Sequence, residues 1–236
     1  MIDSPTHAGL VVRGLRLSYS VSRGSALQAL DVPEFRVPPG QSVGITGPSG
    51  SGKTSLLYAL AGLERPQEGS VTWGEVDIVR LPEAARDRWR RGFIGFIFQE
   101  FHLVPGLSAM QNVLLPTAFD HLRPPALLRD RALKLLARVG LDGKRVTAEK
   151  LSRGEMQRVA VARALIFLPP VVMADEPTAS LDAQNGRAVA DLLSMLCREL
   201  GSTLIVVSHD AALLDRLDTV HRLIAGRFQI SQEFSP

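Results

Sequence analysis

One cysteine, Cys197, in 236 residues excludes an internal disulfide and a cysteine-built zinc site. It falls in "DLLSMLCREL", on an amphipathic helical pattern, and reads as a buried thiol. No apolar run approaches the ~20 residues of a membrane span. The opening "MIDSPTHAGLVV" lacks a basic region and a long apolar core, so no secretory signal is expected. Lysine is scarce, at four residues against 23 arginines, and no run of five basic residues occurs. The densest cluster, Arg86, Arg88, Arg90 and Arg91, is broken by Asp87 and Trp89. Nucleic-acid footprints are usually longer stripes, so the cluster reads as a solvated surface and no nucleic-acid partner is expected. What remains is an ordinary globular composition, 45% apolar and 22% charged, with a net charge of +3. The chain is expected in the cytoplasm, with any membrane role supplied through a partner.

The pattern along the chain changes twice. "LVVRGLRLSYSV", "LQALDVPEFRV" and "QSVGITG" read as strands, and "GKTSLLYALAGL" as a helix. "GSVTWGEVDI" (69–78) alternates like a short hairpin, and "FIGFIFQ" (93–99) reads as a buried strand. From about 101 to 166 the pattern is mainly helical. Strand and helix then alternate: "VVMAD", "AQNGRAVADLLSMLCREL", "TLIVVS" and "AALLDRL", with "VHRLIAGRFQI" as a terminal strand pair. Alternation of this kind implies a largely parallel sheet with helices on its faces. The expected fold is α/β, a sheet core over about 8–100 and 167–236 with an inserted helical subdomain at about 101–166.

"GPSGSGKT" (47–54) matches the phosphate-loop spacing, follows the strand "SVGI" and opens a helix. Gly47, Gly50 and Gly52 allow a turn tight enough to aim successive N–H groups inward, where a helix N-terminus adds its positive end. Pro48, Ser49, Ser51 and the following Ser55 complete the expected nucleotide cradle. Lys53 is expected on the β- and γ-phosphates and the Thr54 hydroxyl on Mg²⁺.

"VVMADE" (171–176) is four apolar residues followed by two acids. A parallel strand buried on both faces should be almost wholly apolar, and ligands collect at its C-terminal end. Asp175 is therefore expected near the phosphate loop, holding Mg²⁺. Glu176, one residue further out, is suited to take a proton from an attacking water. "TLIVVSHD" ends in His209 at the same edge. Position alone leaves His209 open between a plain strand terminus and a γ-phosphate sensor. "LSRGEMQR" (151–158) carries the S-x-x-E capping box of a helix start, Ser152 with Glu155. Arg153 and Gly154 are more than a plain cap needs.

Taken in order, the phosphate loop, Gln99 after a strand, "LSRGE", "VVMADEP", "SLD" and "SH" resemble the ATP-binding subunits of ABC transporters. The resemblance covers nearly the whole chain. It implies a phosphate-loop NTPase sheet core with a helical subdomain, and a head-to-tail homodimer with two ATPs at the interface. Ser152, Gly154 and Glu155 match the family's signature loop, which points a helix N-terminus at the γ-phosphate held by the other subunit. The usual motif is Leu-Ser-Gly-Gly-Gln. Glu155 is expected to weaken the attraction for an anion, with Arg153 available to offset it. Tyr19 matches the aromatic ring set against adenine, with a buried core tyrosine as the alternative. Gln99 matches the residue that links Mg²⁺ and water to the membrane partner, and Asp182 the loop that crosses the dimer interface.

Within that family, "FIFQEFHLVPGLSAMQNVLLP" is similar to the lipoprotein-release, macrolide-export and cell-division group, with Gln111 in place of the usual Glu. Glu100–Asn112 is then expected to line the groove for an integral membrane permease, on the cytoplasmic face of the inner membrane. The implied function is an ATP-hydrolysing transport motor, or in the cell-division branch a mechanical one without transport. A DNA-repair or chromosome ATPase would need a long coiled-coil insertion. Only about 100 residues separate the phosphate loop from "LSRGE", without sustained heptads. A small-molecule kinase with a phosphate loop would not explain "LSRGE" or His209.

Overall fold

The computed structural model describes residues 9–21, 25–120, 122–141 and 146–229. Residues 1–8, read above for a signal, and Ile230, read above as the end of the terminal strand pair, lie outside them. Five strands run parallel: β3 (Ser42–Thr46), β6 (Ile94–Ile97), β7 (Val171–Asp175), β8 (Thr203–Val207) and β9 (Thr219–Ile224). With the antiparallel edge strand β10 (Arg227–Phe228) their order is β10-β9-β3-β8-β7-β6. β7 and β8 are buried at every residue, and the period-2 pleat divides their side chains between two cores. Val172, Ala174, Leu204 and Val206 pack on the helical side. Val171, Met173, Ile205 and Val207 pack on the opposite side. That two-sided burial is why these strands read as continuous apolar runs.

A second sheet, absent from the sequence reading of one largely parallel sheet, covers the latter core. It contains β1 (Leu10–Val21), β2 (Ser25–Val37), β4 (Glu68–Trp73) and β5 (Val76–Asp77) in the order β2-β1-β4-β5, all antiparallel. The reason is the connections: β1–β2 and β4–β5 are joined by a few residues, too few for a parallel crossover. The expected 69–78 hairpin is the β4–β5 pair. Trp73 Nε1 donates to the Leu60 carbonyl at 3.0 Å, tying this sheet to the end of α1 (Lys53–Leu60).

The Arg86–Arg91 cluster corrects a second expectation. It lies on a helix, α2 (Glu83–Phe93), which includes Phe93, the expected first residue of the following strand. Arg88 and Arg91 are exposed, but Arg86 is buried against Gly62, and Arg90 donates to the Gly62 carbonyl at 2.6 Å. Only part of the cluster is a solvated surface. Four arginines in six residues masked the apolar face formed by Trp89 and Phe93.

The middle of the chain is helical, with α3 (Ala109–Leu114), α4 (Ala126–Arg138) and α5 (Arg153–Ala164) packed in one cluster with α6 (Ala183–Leu200). Side chains cap α3, α5, α6 and the short α7 (Ala211–Leu214), through Ser108, Ser152, Asp182 and Asp210. α1, like α2 and α4, has no side-chain cap; its N-cap is Gly52 in the left-handed region, so its first N–H groups stay available to a ligand. Cys197 is buried on α6, and burial pushes its thiol up to about 12, which keeps it protonated and inert at neutral pH.

Candidate nucleotide site

The parallel register aligns the C-terminal ends of β3, β8, β7 and β6 at one edge of the sheet. There they open on a cavity of about 950 Å³. Ser49, Gly50, Ser51, Gly52, Lys53, Thr54 and Ser55 line it, as do Tyr19, Gln99, Glu176 and His209. Residues as far apart as Tyr19 and Gly226 thus share one chamber. Ser152, Gly154, Glu155 and Asp182 are not among its lining residues; they belong to the N-termini of α5 and α6.

The loop before α1 is shaped by close approach. A Cβ on Gly47 would meet the Leu223 carbonyl oxygen at 2.0 Å, and one on Gly52 would meet the Ala29 oxygen at 2.5 Å. Both residues also have positive φ, 150° and 96°. Any side chain there would push the loop off the neighbouring strands. Lys53 is folded back into the loop, where its Nζ donates to the Gly47 and Pro48 carbonyls at 2.9 and 3.0 Å. Ser51 Oγ is buried without a hydrogen-bond partner among the described residues. An orphaned hydroxyl beside uncapped helix N–H groups fits a polyphosphate, whose oxygens accept from both.

Asp175 ends β7 almost wholly buried, and its Oδ1 lies 3.4 Å from Thr54 Oγ1. Burial raises its carboxyl above the ordinary range; the neighbouring Glu176 adds to this, while Thr54 and Lys53 oppose it. A hydroxyl and a carboxylate side by side are hard oxygen donors. They suit Mg²⁺, which uses one or two carboxylates together with substrate phosphates. Glu176 has φ of 46°, a left-handed conformation that is costly for a residue with a side chain. Its N–H donates to the Val207 carbonyl at 2.8 Å, so β8 holds the turn in place. The Glu176 carboxylate then faces His209: Oε1 is 3.4 Å from Nε2, and Oε2 accepts from the His209 backbone N–H at 3.3 Å. Its side chain keeps 16% exposure against 52% for His209, so the carboxylate opens toward the cavity without facing bulk water. Gln99 follows β6 and is exposed at the cavity wall.

Tyr19 is not a core residue. It is 37% exposed, and its hydroxyl binds the Glu64 carboxylate and lies 3.0 Å from Ser55 Oγ. Its cross-strand partner Leu27 is 61% exposed and lines the same cavity. Sequence reading passed over Leu27, although an apolar residue paired with Tyr19 could have flagged it. It also passed over Asp210, which caps α7 and accepts from Thr178 Oγ1 at 2.9 Å, fastening the turn after Glu176. The "SHDAALL" string carries that cap signal.

The α5 end is built as its sequence predicts. Ser152 Oγ accepts from the Glu155 N–H at 3.3 Å, and the Glu155 carboxylate accepts from the Ser152 N–H at 2.9 Å and hydroxyl at 3.0 Å. Gly154 packs on Asn185: a Cβ would meet its Oδ1 at 2.6 Å, so that side chain would have to shift. Asp182 accepts from the N–H groups of Gln184 and Asn185, and those contacts hold its carboxyl below the usual range. Arg153 lies over the Phe101 ring at 5.7 Å. It borders a second groove of about 450 Å³, lined also by Leu103, Pro105, Glu149 and Met156.

Comparison with known proteins places the chain in a family. The ABC transporter family profile matches residues 30–179. The Rhodopirellula baltica lipoprotein-releasing system ATP-binding protein LolD 1 is 41% identical over 218 residues, 92% of this chain and 94% of the relative. The Escherichia coli K12 ABC transporter ATP-binding protein YbbA is 43% identical over 222 residues, 93% and 96% of the two chains. The dimeric post-hydrolysis structure of the ATP-binding cassette MJ0796, bound to ADP and Pi, superposes with a TM-score of 0.84 at 33% identity. It covers 94% of this chain and 97% of that one. The chain belongs to the ABC transporter family, as one of its ATP-binding, ATP-hydrolysing cassettes.

Proposed function

We propose that this cassette is the motor subunit of a lipoprotein-releasing type of transporter, working as a head-to-tail homodimer on an integral membrane permease. The observation that carries the motor reading is the convergence of Thr54, Glu176, His209 and Gln99 on one cavity beside an uncapped helix N-terminus, with the buried Asp175 carboxylate directly behind Thr54. The relatives named LolD support the transporter type. Among the described residues no helix is long and apolar enough to cross a membrane. Attachment to the cytoplasmic face of the membrane would run through the permease.

On this reading ATP lies with its phosphates on the loop from Gly47 to Ser55 and its base against Tyr19. Lys53 exchanges its two carbonyl partners for the β- and γ-phosphates. Thr54 and Asp175, with Gln99 nearby, would hold Mg²⁺, which would supply charge neutralisation to the phosphates. Glu176 takes a proton from the attacking water, and His209 orients the carboxylate and the γ-phosphate. Ser152 and Gly154 of a second copy close on that phosphate, and Asp182 crosses the interface. Glu155 already serves the Ser152 N–H, so the phosphate meets the N–H groups left over at the helix end.

The groove at Glu100–Pro105 is the permease dock; Asn112, expected to line it, is fully buried and spends its amide on Val104, Leu107 and Ser108. Its apolar floor of Phe101, Leu103, Pro105 and Met156 is bordered by charge on both signs, from Glu100, Glu149 and Arg153.

Three outcomes follow. Glu176→Gln should lower ATP turnover by about a hundredfold or more, the scale of losing a general base. Its ATP affinity, read by calorimetry, should stay within about twofold. Turnover near wild type would remove Glu176 from the base role. Asp175→Asn probes the buried carboxylate. Because its folded pKa is raised, that group supports the fold fully below the unfolded value and loses the benefit as pH rises through the folded one. Burial disfavours the charged carboxylate, so the asparagine variant should melt above wild type at neutral pH without nucleotide, with the gain shrinking as pH falls. The same variant should lose the gain in ATP affinity that Mg²⁺ confers; an unchanged Mg²⁺ response would place the ion elsewhere. Leu103→Asp should abolish copurification with the permease while ATP affinity holds, and intact copurification would show that the dock lies on another face.

A further inference from the structure

Tyr19 sits on the antiparallel sheet, whereas the phosphate loop belongs to the parallel one. A base platform is useful only if its distance from the phosphates is fixed. The segment that leaves α1 supplies that connection. The Glu64 N–H donates to the Tyr58 carbonyl at 3.2 Å, which keeps the acid at the end of α1. Three residues on, Gln67 clasps β1: its N–H donates to the Arg16 carbonyl at 3.0 Å. Its side chain accepts from the Ser18 N–H at 2.8 Å and donates to the Ser18 carbonyl at 3.1 Å. Those bonds fall where the β1–β2 register shifts, between Leu17 and Ser18. The shift leaves Ala29 of β2 as the extra residue, two pairs before Tyr19 faces Leu27, so the clasp fixes β1 where the ladder is interrupted.

The hydroxyl of that side chain then meets α1 at both ends. It binds the Glu64 carboxylate beyond the helix C-terminus and lies 3.0 Å from the Ser55 hydroxyl in the first turn. A phenol has one proton. The phenol O–H donates to the carboxylate, and Ser55 can donate to the phenol oxygen, so both groups are satisfied. Burial and the Glu64 carboxylate both raise the Tyr19 pKa, which keeps the proton available. The ring is pinned at Cβ and at its hydroxyl, while more than a third of its surface stays open to the cavity.

We propose that Glu64 is a positioning residue for base recognition: through the Tyr19 hydroxyl it locks the stacking ring to the phosphate-loop helix. This rests on the reading of Tyr19 as the adenine platform. Pre-organisation of this kind favours ligands with a base over ligands that have only phosphates.

The test compares Mg²⁺-dependent binding of ATP and of inorganic tripolyphosphate by calorimetry. Glu64→Ala should weaken ATP roughly three- to tenfold, the range of one hydrogen bond, and leave tripolyphosphate within about twofold. Retained tripolyphosphate binding also reports an intact fold. Glu64→Gln, which still offers a carbonyl acceptor, should recover most of the loss. Tyr19→Phe should match Glu64→Ala, and the two combined should be no weaker than Tyr19→Phe alone. Equal weakening of both ligands, an additive double variant, or no effect of Glu64→Ala would overturn the proposal. Tyr19→Ala separates the two levels. If it leaves the preference for ATP over tripolyphosphate intact, the platform reading fails and the proposal with it. If it removes that preference while Glu64→Ala does nothing, only the role of Glu64 falls.

Discussion

The parallel register of β3, β8, β7 and β6 is the constraint on which the site depends. These strands are covered by a core on either face, and β7 and β8 are buried throughout. Their polar chemistry is therefore confined to the strand ends. Because the strands run the same way, those ends meet at one edge: the loop after Thr46, Asp175 with Glu176, Ser208 with His209, and Gln99 beyond Ile97. The Ser208 N–H donates to the Ile45 carbonyl at 3.2 Å and the Glu176 N–H to Val207, so the register persists one residue past the sheet. A slip of one residue in β7 would exchange its two faces and carry Asp175 away from Thr54.

Helix α5 connects this edge to its surroundings. Gln157 is fully buried and donates to the Pro177 carbonyl at 2.8 Å, directly after the Asp175–Glu176 pair. Near the other end, Arg163 donates to the His102 and Phe101 carbonyls at 2.6 and 2.7 Å. His102 is held at φ 46°, so this fork fixes a strained corner in the wall of the second groove. Gly154 packs on Asn185 beside the Asp182 cap. One rigid helix thus touches the acidic strand end, the groove wall and the start of α6. On the proposed reading its free end is the half of the nucleotide site that a single chain does not apply to its own loop.

Much of this was legible in the sequence for physical reasons. Glycines at 47 and 52 announce a loop because no other residue fits against the Leu223 and Ala29 carbonyls. Ser152 and Glu155 announce a helix start because a reciprocal cap needs that spacing. Asp175 stood out as an acid ending an apolar run. The antiparallel sheet was less visible, since its strands alternate like any half-buried strand and pairing depends on connections. α2 was hidden by its arginines, and the burial of Arg86 follows from packing on Gly62, 24 residues away. Glu64 and Gln67 look like ordinary surface residues in "GLERPQEGS"; their contacts with Tyr19 and Ser18 cross 45 and 49 positions.

The central claim is that the nucleotide site of one chain is completed by the α5 end of another. Sedimentation velocity of the Glu176→Gln protein with and without Mg²⁺–ATP tests it directly. The account predicts a 25.6 kDa monomer without nucleotide and a species of twice that mass at saturating Mg²⁺–ATP. A chain that remains monomeric when saturated with Mg²⁺–ATP would contradict it.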